Sequence, residues 1–311
     1  MTVLMICLVV LIVVLLGFVT YTALRDKAIR TRFPARGYFT KVSGGTIHWT
    51  VKGDGPAVVL VHGLAGNLHN FSDLEDALAT KYRVYCVDRP GSGHSKRAVK
   101  TAPNFSAQAA MIAEWMATEN IDNAIFVGHS MGGGISLNLA LNFPEKVQGL
   151  ALICPLTATL DIKPTQFFTW YLRSKTLRIA FAKCFSPLIQ RRIGRRQVNA
   201  IFKPEKPPSG FAHRYGGALS MLSSAFLAAS HDLSGAQQSL REQIPCYSKI
   251  QCPINVLFGE GDRILPFRPH TEVIANAIPH AKITVMPQRG HMLPITAIEA
   301  CVAIIDDCTF R

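Results

Sequence analysis

The 311-residue sequence predicts an α/β fold, a mostly parallel sheet flanked by helices, with an inserted helical lid and an amino-terminal transmembrane helix. Three observations predict it. Short apolar runs of strand length alternate with helical periodicity from about Gly44 to the C-terminus. That alternation stops between about Leu156 and Leu240, and Val3 to Val19 runs apolar without one charged residue.

Taken in order, the apolar run extends through Thr20 to Leu24 and approaches the roughly 20 residues needed to cross a hydrocarbon core. No Lys or Arg precedes it, and no convincing small-x-small cleavage site comes after it. Residues 1–24 are therefore read as an uncleaved single-pass anchor rather than a signal peptide. Residues 25–43 form a basic juxtamembrane linker carrying Arg25, Lys27, Arg30, Arg32 and Arg36. The positive-inside rule places the following domain on the cytoplasmic side, and anionic lipid would hold this cluster at the bilayer face.

The first part of the core spans residues 44–155. Gly45 to Lys52 alternates like an antiparallel strand, and Ala57 to Val61 is a continuous apolar run like a buried parallel one. Helical spacing in Leu74 to Thr80 precedes the strand Tyr82 to Val87, the helix Ala107 to Glu119, the strand Ala124 to Val127, the helix Gly132 to Asn142 and the strand Val147 to Ile153. Residues 156–240 lack strand-like runs and turn aromatic and basic: Phe167, Phe168, Trp170 and Tyr171, then Lys175, Arg178, Lys183, Arg191, Arg192, Arg195 and Arg196. This is the expected lid. In Leu177 to Val198 apolar residues interleave with cations, which suits a helix lying on anionic lipid and equally a solvated cap. The core resumes over 241–311 with the strand Ile254 to Phe258, the helix Pro269 to Ala277, the strand Lys282 to Met286 and the helix Ile295 to Asp307.

Composition narrows the function. A formal charge of +13 would suit nucleic acid, yet no helix-turn-helix, zinc-ligand spacing or aromatic-basic interleaving accompanies it, so a membrane surface explains it better. The eight cysteines are scattered without C-x-x-C pairs, which points to a reduced compartment and to neither a disulfide framework nor a metal site. Two Asn-Phe-Ser sequons, at Asn70 and Asn104, are read as coincidental.

The chemistry is concentrated at Gly128-His129-Ser130-Met131-Gly132, where a buried strand gives way to a helix. Glycines two positions either side let a serine take the sharp backbone turn that lifts its hydroxyl clear of a sheet. Serine is a weak nucleophile at neutral pH, so Ser130 needs a base and a group that orients the base. In this architecture the partners come in chain order as acid and then histidine, each after a late strand. His291 comes directly after the last expected strand. Asp262, in Gly259-Glu260-Gly261-Asp262, comes after the one before it; Glu260 is the alternative carboxylate and Asp161 a third. Two backbone N–H groups should face the developing oxyanion, that of Met131 and that of Leu64 in Val61-His62-Gly63-Leu64. His62 is expected to fix that loop by hydrogen bonding, and His129 to pack. Asp88-Arg89-Pro90-Gly91-Ser92-Gly93-His94-Ser95 lacks the Lys-Ser/Thr ending of a phosphate loop and is read as a structural turn in which Asp88 and Arg89 pair or cap locally.

These pieces, with Phe143-Pro144-x-x-Val147, Pro253-Ile254 through Asp262 and Pro266, and Gly290-His291, resemble the α/β-hydrolase fold family in order and spacing. The resemblance implies that fold and a Ser130-Asp262-His291 triad. Leu64 stands where many relatives carry an aromatic residue, and Phe71 where they carry Trp. Ser130 argues against the dehalogenase and epoxide hydrolase branches, which use Asp there. The anchor, basic flank and lid make the architecture similar to membrane-bound monoacylglycerol lipases. The expected function is hydrolysis of a small-molecule or lipid ester without metal or organic cofactor. A thioesterase, a C–C hydrolase or a perhydrolase would use the same triad, and a non-catalytic membrane-tethered lipid-binding protein is the reading from another class.

Overall fold

A computed structural model describes residues 2–159, 172 and 174–308. The expectations attached to Asp161, Phe167, Phe168, Trp170 and Tyr171 lie outside the described residues. The chain begins with α1 (Thr2–Arg32), β1 (Tyr38–Val42), β2 (Gly45–Lys52), β3 (Ala57–Val61), α2 (Ser72–Leu78), β4 (Arg83–Val87) and the short β5 (Lys96–Arg97). It continues through α3 (Phe105–Thr118), β6 (Ala124–His129), α4 (Met131–Asn142) and β7 (Val147–Ile153). Between β7 and β8 lie α5 (Lys175–Cys184), α6 (Ser186–Phe202), α7 (Phe211–Arg214) and α8 (Ser223–Gln243). Then come β8 (Ile254–Gly259), α9 (Phe267–Ala277), β9 (Lys282–Met286), α10 (Leu293–Thr296) and α11 (Ile298–Asp306).

Among the described residues, nine strands form one sheet in the order β1-β2-β4-β3-β6-β7-β8-β9, with β5 paired to β2. From β4 to β9 all pairings are parallel, while β1, β2 and β5 are antiparallel additions. Every residue of β6 and β8 is buried, and β3 and β7 are nearly so, which is why these strands read as unbroken apolar runs. The edge strand β9 is mostly exposed and opens on Lys282, a charge that discourages further pairing. In the core, the fully buried Trp115 of α3 meets Trp49 and Tyr85 edge-on, with ring centroids 5.6 and 5.9 Å away.

Two departures from the expected elements have physical causes. The sheet begins at Tyr38, inside the stretch expected as a linker, because β1 buries a threonine where a strand pattern would show a hydrophobe. Thr40 accepts a hydrogen bond from Trp49 Nε1 (2.9 Å) and donates to Glu119, which satisfies its buried hydroxyl. The closing helix divides into α10 and α11 at Ala297, whose φ of −144° is extended rather than helical.

Helix α1 is long and apolar enough to cross a membrane, with mean hydropathy 3.3 over its most apolar window. Its 31 residues span about 46 Å at about 1.5 Å each. The first twenty residues or so are largely exposed, and from Thr22 onward the helix docks on the segment between β7 and β8. Ile29 and Phe33 pack against Leu219, Leu222 and Ala225. Arg25 donates to the Met221 carbonyl (3.1 Å) and Arg30 to Ser224 Oγ (3.1 Å). The Asp26 carboxylate accepts from both the backbone N–H and the hydroxyl of Ser223, the first residue of α8. Leu222, at the N-cap of α8, has no side chain for the task, so Asp26 supplies the cap and a favourable charge from another helix.

Candidate active site

Parallel strands deliver loops at their carboxyl ends, and four such loops meet here: after β3 (His62 to Gly66), β6 (Ser130), β8 (Asp262) and β9 (His291). Ser130 lies between β6 and α4 with φ 54° and ψ −121°, a region non-glycine residues rarely occupy. The turn is held by Ser130 N–H donating to the Ile153 carbonyl (3.0 Å), and by the N–H groups of Leu156 and Gly133 donating to the Ser130 carbonyl (2.8 and 2.9 Å). A Cβ on Gly132 would lie 2.0 Å from the Val61 carbonyl oxygen, so only glycine lets α4 start this close to β3.

His291 Nδ1 donates to Asp262 Oδ2 at 2.6 Å, and Asp262 Oδ1 accepts the N–H groups of Ile264 (2.8 Å) and Leu265 (2.9 Å). Burial pushes the Asp262 carboxyl upward. The charge and hydrogen bond of His291, with the two backbone donors, outweigh it and hold the group below its ordinary value. Glu260 is exposed and makes no hydrogen bond to the imidazole. With Nδ1–H committed to a carboxylate, the neutral imidazole keeps its lone pair on Nε2. His291 and Ser130 line the same cavity; no direct hydrogen bond joins them among the described residues.

The His291 loop is clamped from two sides. His129 Nε2 donates to the His291 carbonyl (3.0 Å), and burial, then the neighbouring His291, push the His129 pKa down to about 3. Glu205, between α6 and α7, accepts the Gly290 N–H (2.7 Å) and pairs with Arg289 (3.0 Å). Glu205 has no sequence signature, since its partners are more than eighty residues away. His270 of α9 is likewise silent in the sequence. Its Nδ1 accepts from Thr157 and Ala158 N–H (3.2 and 3.0 Å), which fixes the chain as it leaves β7, and burial pushes its pKa down to about 4.

His62 props the loop after β3. Arg89 N–H donates to its Nε2 (3.0 Å), so the proton sits on Nδ1, which faces the Gly63 carbonyl (2.8 Å); burial and the Arg89 charge push its pKa down to about 3. Asp88 and Arg89 do not pair. Asp88 takes His48 Nδ1 (2.7 Å) and the N–H groups of Leu68 and His94 (both 2.8 Å), whereas Arg89 turns to Asp232, Gln108 and the loop after β3. Neighbouring side chains in extended backbone point to opposite sides, which separates the two charges. Asn70 is buried and donates to the Tyr215 carbonyl (2.8 Å), and Asn104 caps α3 through Ala107 N–H (2.9 Å), so both sequon asparagines have structural work.

Leu64 and Met131 face the cavity beside Ser130. Met131 opens α4, so its N–H has no partner within the helix, and among the described residues neither N–H is engaged elsewhere. The cavity, about 190 Å³, lies between these loops and α6, which contributes Gln190, Val198 and Ile201, with Leu156, Leu233 and Met292 completing an apolar wall. Cys154 Sγ lies within 4.8 Å of ligand atoms of Asp262 and His291. Burial and the Asp262 charge push its thiol well up, which suits a protonated packing group rather than a metal-binding thiolate.

A family model described as alpha/beta hydrolase fold matches residues 56–297. A pimeloyl-[acyl-carrier protein] methyl ester esterase of Vibrio atlanticus is 26% identical, over 82% of this chain and 95% of that protein. An uncharacterized protein of Mycobacterium tuberculosis is 24% identical, over 85% of this chain and 78% of its own. Among solved structures, a bacterial membrane phospholipase A is similar over 100% of both chains with TM-score 0.69 and 22% identity. An esterase from Exiguobacterium antarcticum is similar over 87% of this chain and 100% of its own, with TM-score 0.69 and 23% identity. At these identities the two solved structures speak to the fold alone.

Proposed function

Because the chain belongs to the α/β hydrolase fold family, we propose that it is a serine hydrolase of carboxylic esters acting on lipid-like substrates at a membrane surface. The observation that carries the reading is the 2.6 Å His291–Asp262 contact on the wall of the cavity that Ser130 enters from a strained turn. Ser130 Oγ attacks the ester carbonyl carbon while His291 Nε2 takes the hydroxyl proton, and the Leu64 and Met131 amides stabilise the oxyanion. His291 then protonates the departing alcohol. Water, deprotonated by the same imidazole, releases the acid from the acyl-enzyme. Asp262 holds the ring in the required tautomer throughout. None of these steps calls for a metal or organic cofactor.

The substrate class rests on the cavity and its surroundings. The walls suit an acyl chain, and α6, which lines them, also carries the exposed Arg191, Arg192, Arg195 and Arg196. Exposed Leu177, Phe185 and Leu188 lie on α5, α6 and the joint between them, and Phe185 meets Phe18 of α1 with ring centroids 5.7 Å apart. Phe18 belongs to the apolar run, so the lid sits where an anchored α1 leaves the bilayer, with cations for anionic headgroups. The docking of Thr22 to Phe33 on the inserted helices supports an anchor that stays attached, and the cations after it support a cytoplasmic catalytic domain.

A serine-directed fluorophosphonate tests the mechanism: the wild type is labelled and Ser130→Ala is not. A panel of esters of rising chain length, beside acyl-thioesters, tests the substrate class, with turnover rising from acetyl to longer acyl chains. Turnover of thioesters alone would move the reading to a thioesterase. Saturable lipid binding with neither labelling nor turnover would replace it by a binding protein.

A further inference from the structure

We infer that Arg89 is a positioning residue of the oxyanion hole, orienting and polarising the Gly63–Leu64 peptide from behind, and that Asp232 ties this device to the inserted helices. The inference rests on the proposed role of the Leu64 amide.

The Arg89 side chain is fully buried, and all three of its nitrogens donate. Nε donates to the His62 carbonyl (2.8 Å) and Nη2 to the Gly63 carbonyl (3.0 Å), while Nη1 reaches Asp232 Oδ2 and Gln108 Oε1 (both 2.8 Å). A buried guanidinium needs acceptors for the N–H groups that Asp232 and Gln108 leave unfilled. Here both of those acceptors are carbonyls of the loop that carries Leu64. The Gly63 C=O and the Leu64 N–H belong to one planar trans peptide, so they point in opposite directions. Holding the oxygen against Arg89 turns the N–H away from it, and Leu64 lies on the cavity side with Ser130. The peptide is adjacent to the nucleophile: a Cβ on Gly63 would stand 2.9 Å from Ser130 Cβ.

The same carbonyl accepts His62 Nδ1 (2.8 Å) and Gly66 N–H (3.2 Å), and His62 is itself held by the Arg89 backbone. Donors converging on an amide oxygen draw charge from its nitrogen and make the opposite N–H a stronger donor, most of all in a low-dielectric interior. Arg97 also pairs with Asp232 (2.7 Å), so two guanidinium groups share one carboxylate and leave net positive charge behind the oxyanion site. Asp232 lies on α8, whose first turn Asp26 of α1 caps. The placement of Arg89 therefore depends on the inserted segment being seated.

The test compares the detergent-solubilised full chain with Arg89→Met and Arg89→Lys, reading kcat, KM, and inhibition by a long-chain trifluoromethyl ketone, which adds to a serine as a tetrahedral adduct. The alcohol of the same chain, which forms no adduct, serves as ground-state ligand. Losing one oxyanion donor outright costs about 100- to 1000-fold, so a misaimed one in Arg89→Met should lower kcat by about 30- to 100-fold with KM within about threefold. The ketone should weaken by the same factor and the alcohol should not change. Arg89→Lys, which keeps the charge and can reach one carbonyl, should recover at least about a third of that loss on a logarithmic scale. Unchanged kcat, equal weakening of ketone and alcohol, or failure of both variants to fold would overturn the inference and leave Arg89 a structural residue. A wild type that neither turns over esters nor reacts with a fluorophosphonate would instead overturn the proposed function.

Discussion

Asp262→Asn isolates what the carboxylate contributes to the proposed reaction. The asparagine is isosteric, and its Oδ1 can keep the Ile264 and Leu265 N–H groups, 2.8 and 2.9 Å away in the native protein. The loop should therefore hold. What changes is the 2.6 Å contact to His291 Nδ1, because an amide NH₂ placed there is a donor and makes the ring nitrogen an acceptor. The ring proton moves to Nε2, the atom that must receive the Ser130 proton. Inverting the tautomer of a triad histidine costs about 10⁴ in kcat, or about 5 kcal/mol at about 1.36 kcal/mol per tenfold. Steady-state hydrolysis of a p-nitrophenyl ester, with circular dichroism to establish that the variant is folded, measures it. The same variant tests linkage. The Asp262 carboxyl lies below its ordinary value of 3.8, so it contributes stability that is full above that value and is lost as pH falls through the folded-state value. The Asn variant should lack that component of acid sensitivity. A folded variant whose kcat stays within about tenfold of wild type would refute the reasoning.

Three further outcomes are expected. His62, His129 and His270 have pKa values pushed by burial from 6.5 to about 3, 3 and 4, so below about pH 6.5 the unfolded chain takes up three protons that the folded chain does not. Stability should then fall by up to roughly 4 kcal/mol per pH unit until about pH 4, and urea midpoints that match at about pH 7 and about pH 5 would contradict this. Asp26→Ala removes the cap of α8 and should cost about 1 kcal/mol, seen as a melting temperature lower by about 2–4 °C, with Asp26→Asn retaining most of it. Trp115→Ala, at a fully buried site between Trp49 and Tyr85, should cost about 3–5 kcal/mol in chemical denaturation; a cost under about 1 kcal/mol would show the site collapsing around the missing ring.

Much of the fold is legible in the sequence because burial on both faces leaves an unmistakable mark: β3, β6 and β7 read as continuous apolar runs, and the turn at Ser130 is flagged by its glycines. Chain order then leads to Asp262 and His291, which the structure brings together. β1 escapes because its inward-facing Thr40 is satisfied by Trp49 and Glu119, contacts no local pattern encodes. Arg89 reads as a charge in a turn, since the carboxylate that explains it is 143 residues further along. Glu205 and His270 escape for the same reason: a buried polar group is defined by partners in space, and hydropathy patterning records only neighbours in the chain.

The seam between α1 and the inserted segment bears on how this protein can be handled at the bench. Trimming the chain at Arg36 would do more than remove an apolar helix: it would bare an oily strip at Leu219, Leu222 and Ala225 and leave the front of α8 ragged. A cut just ahead of Tyr21 discards most of the greasy rod yet spares the splint from Thr22 to Phe33.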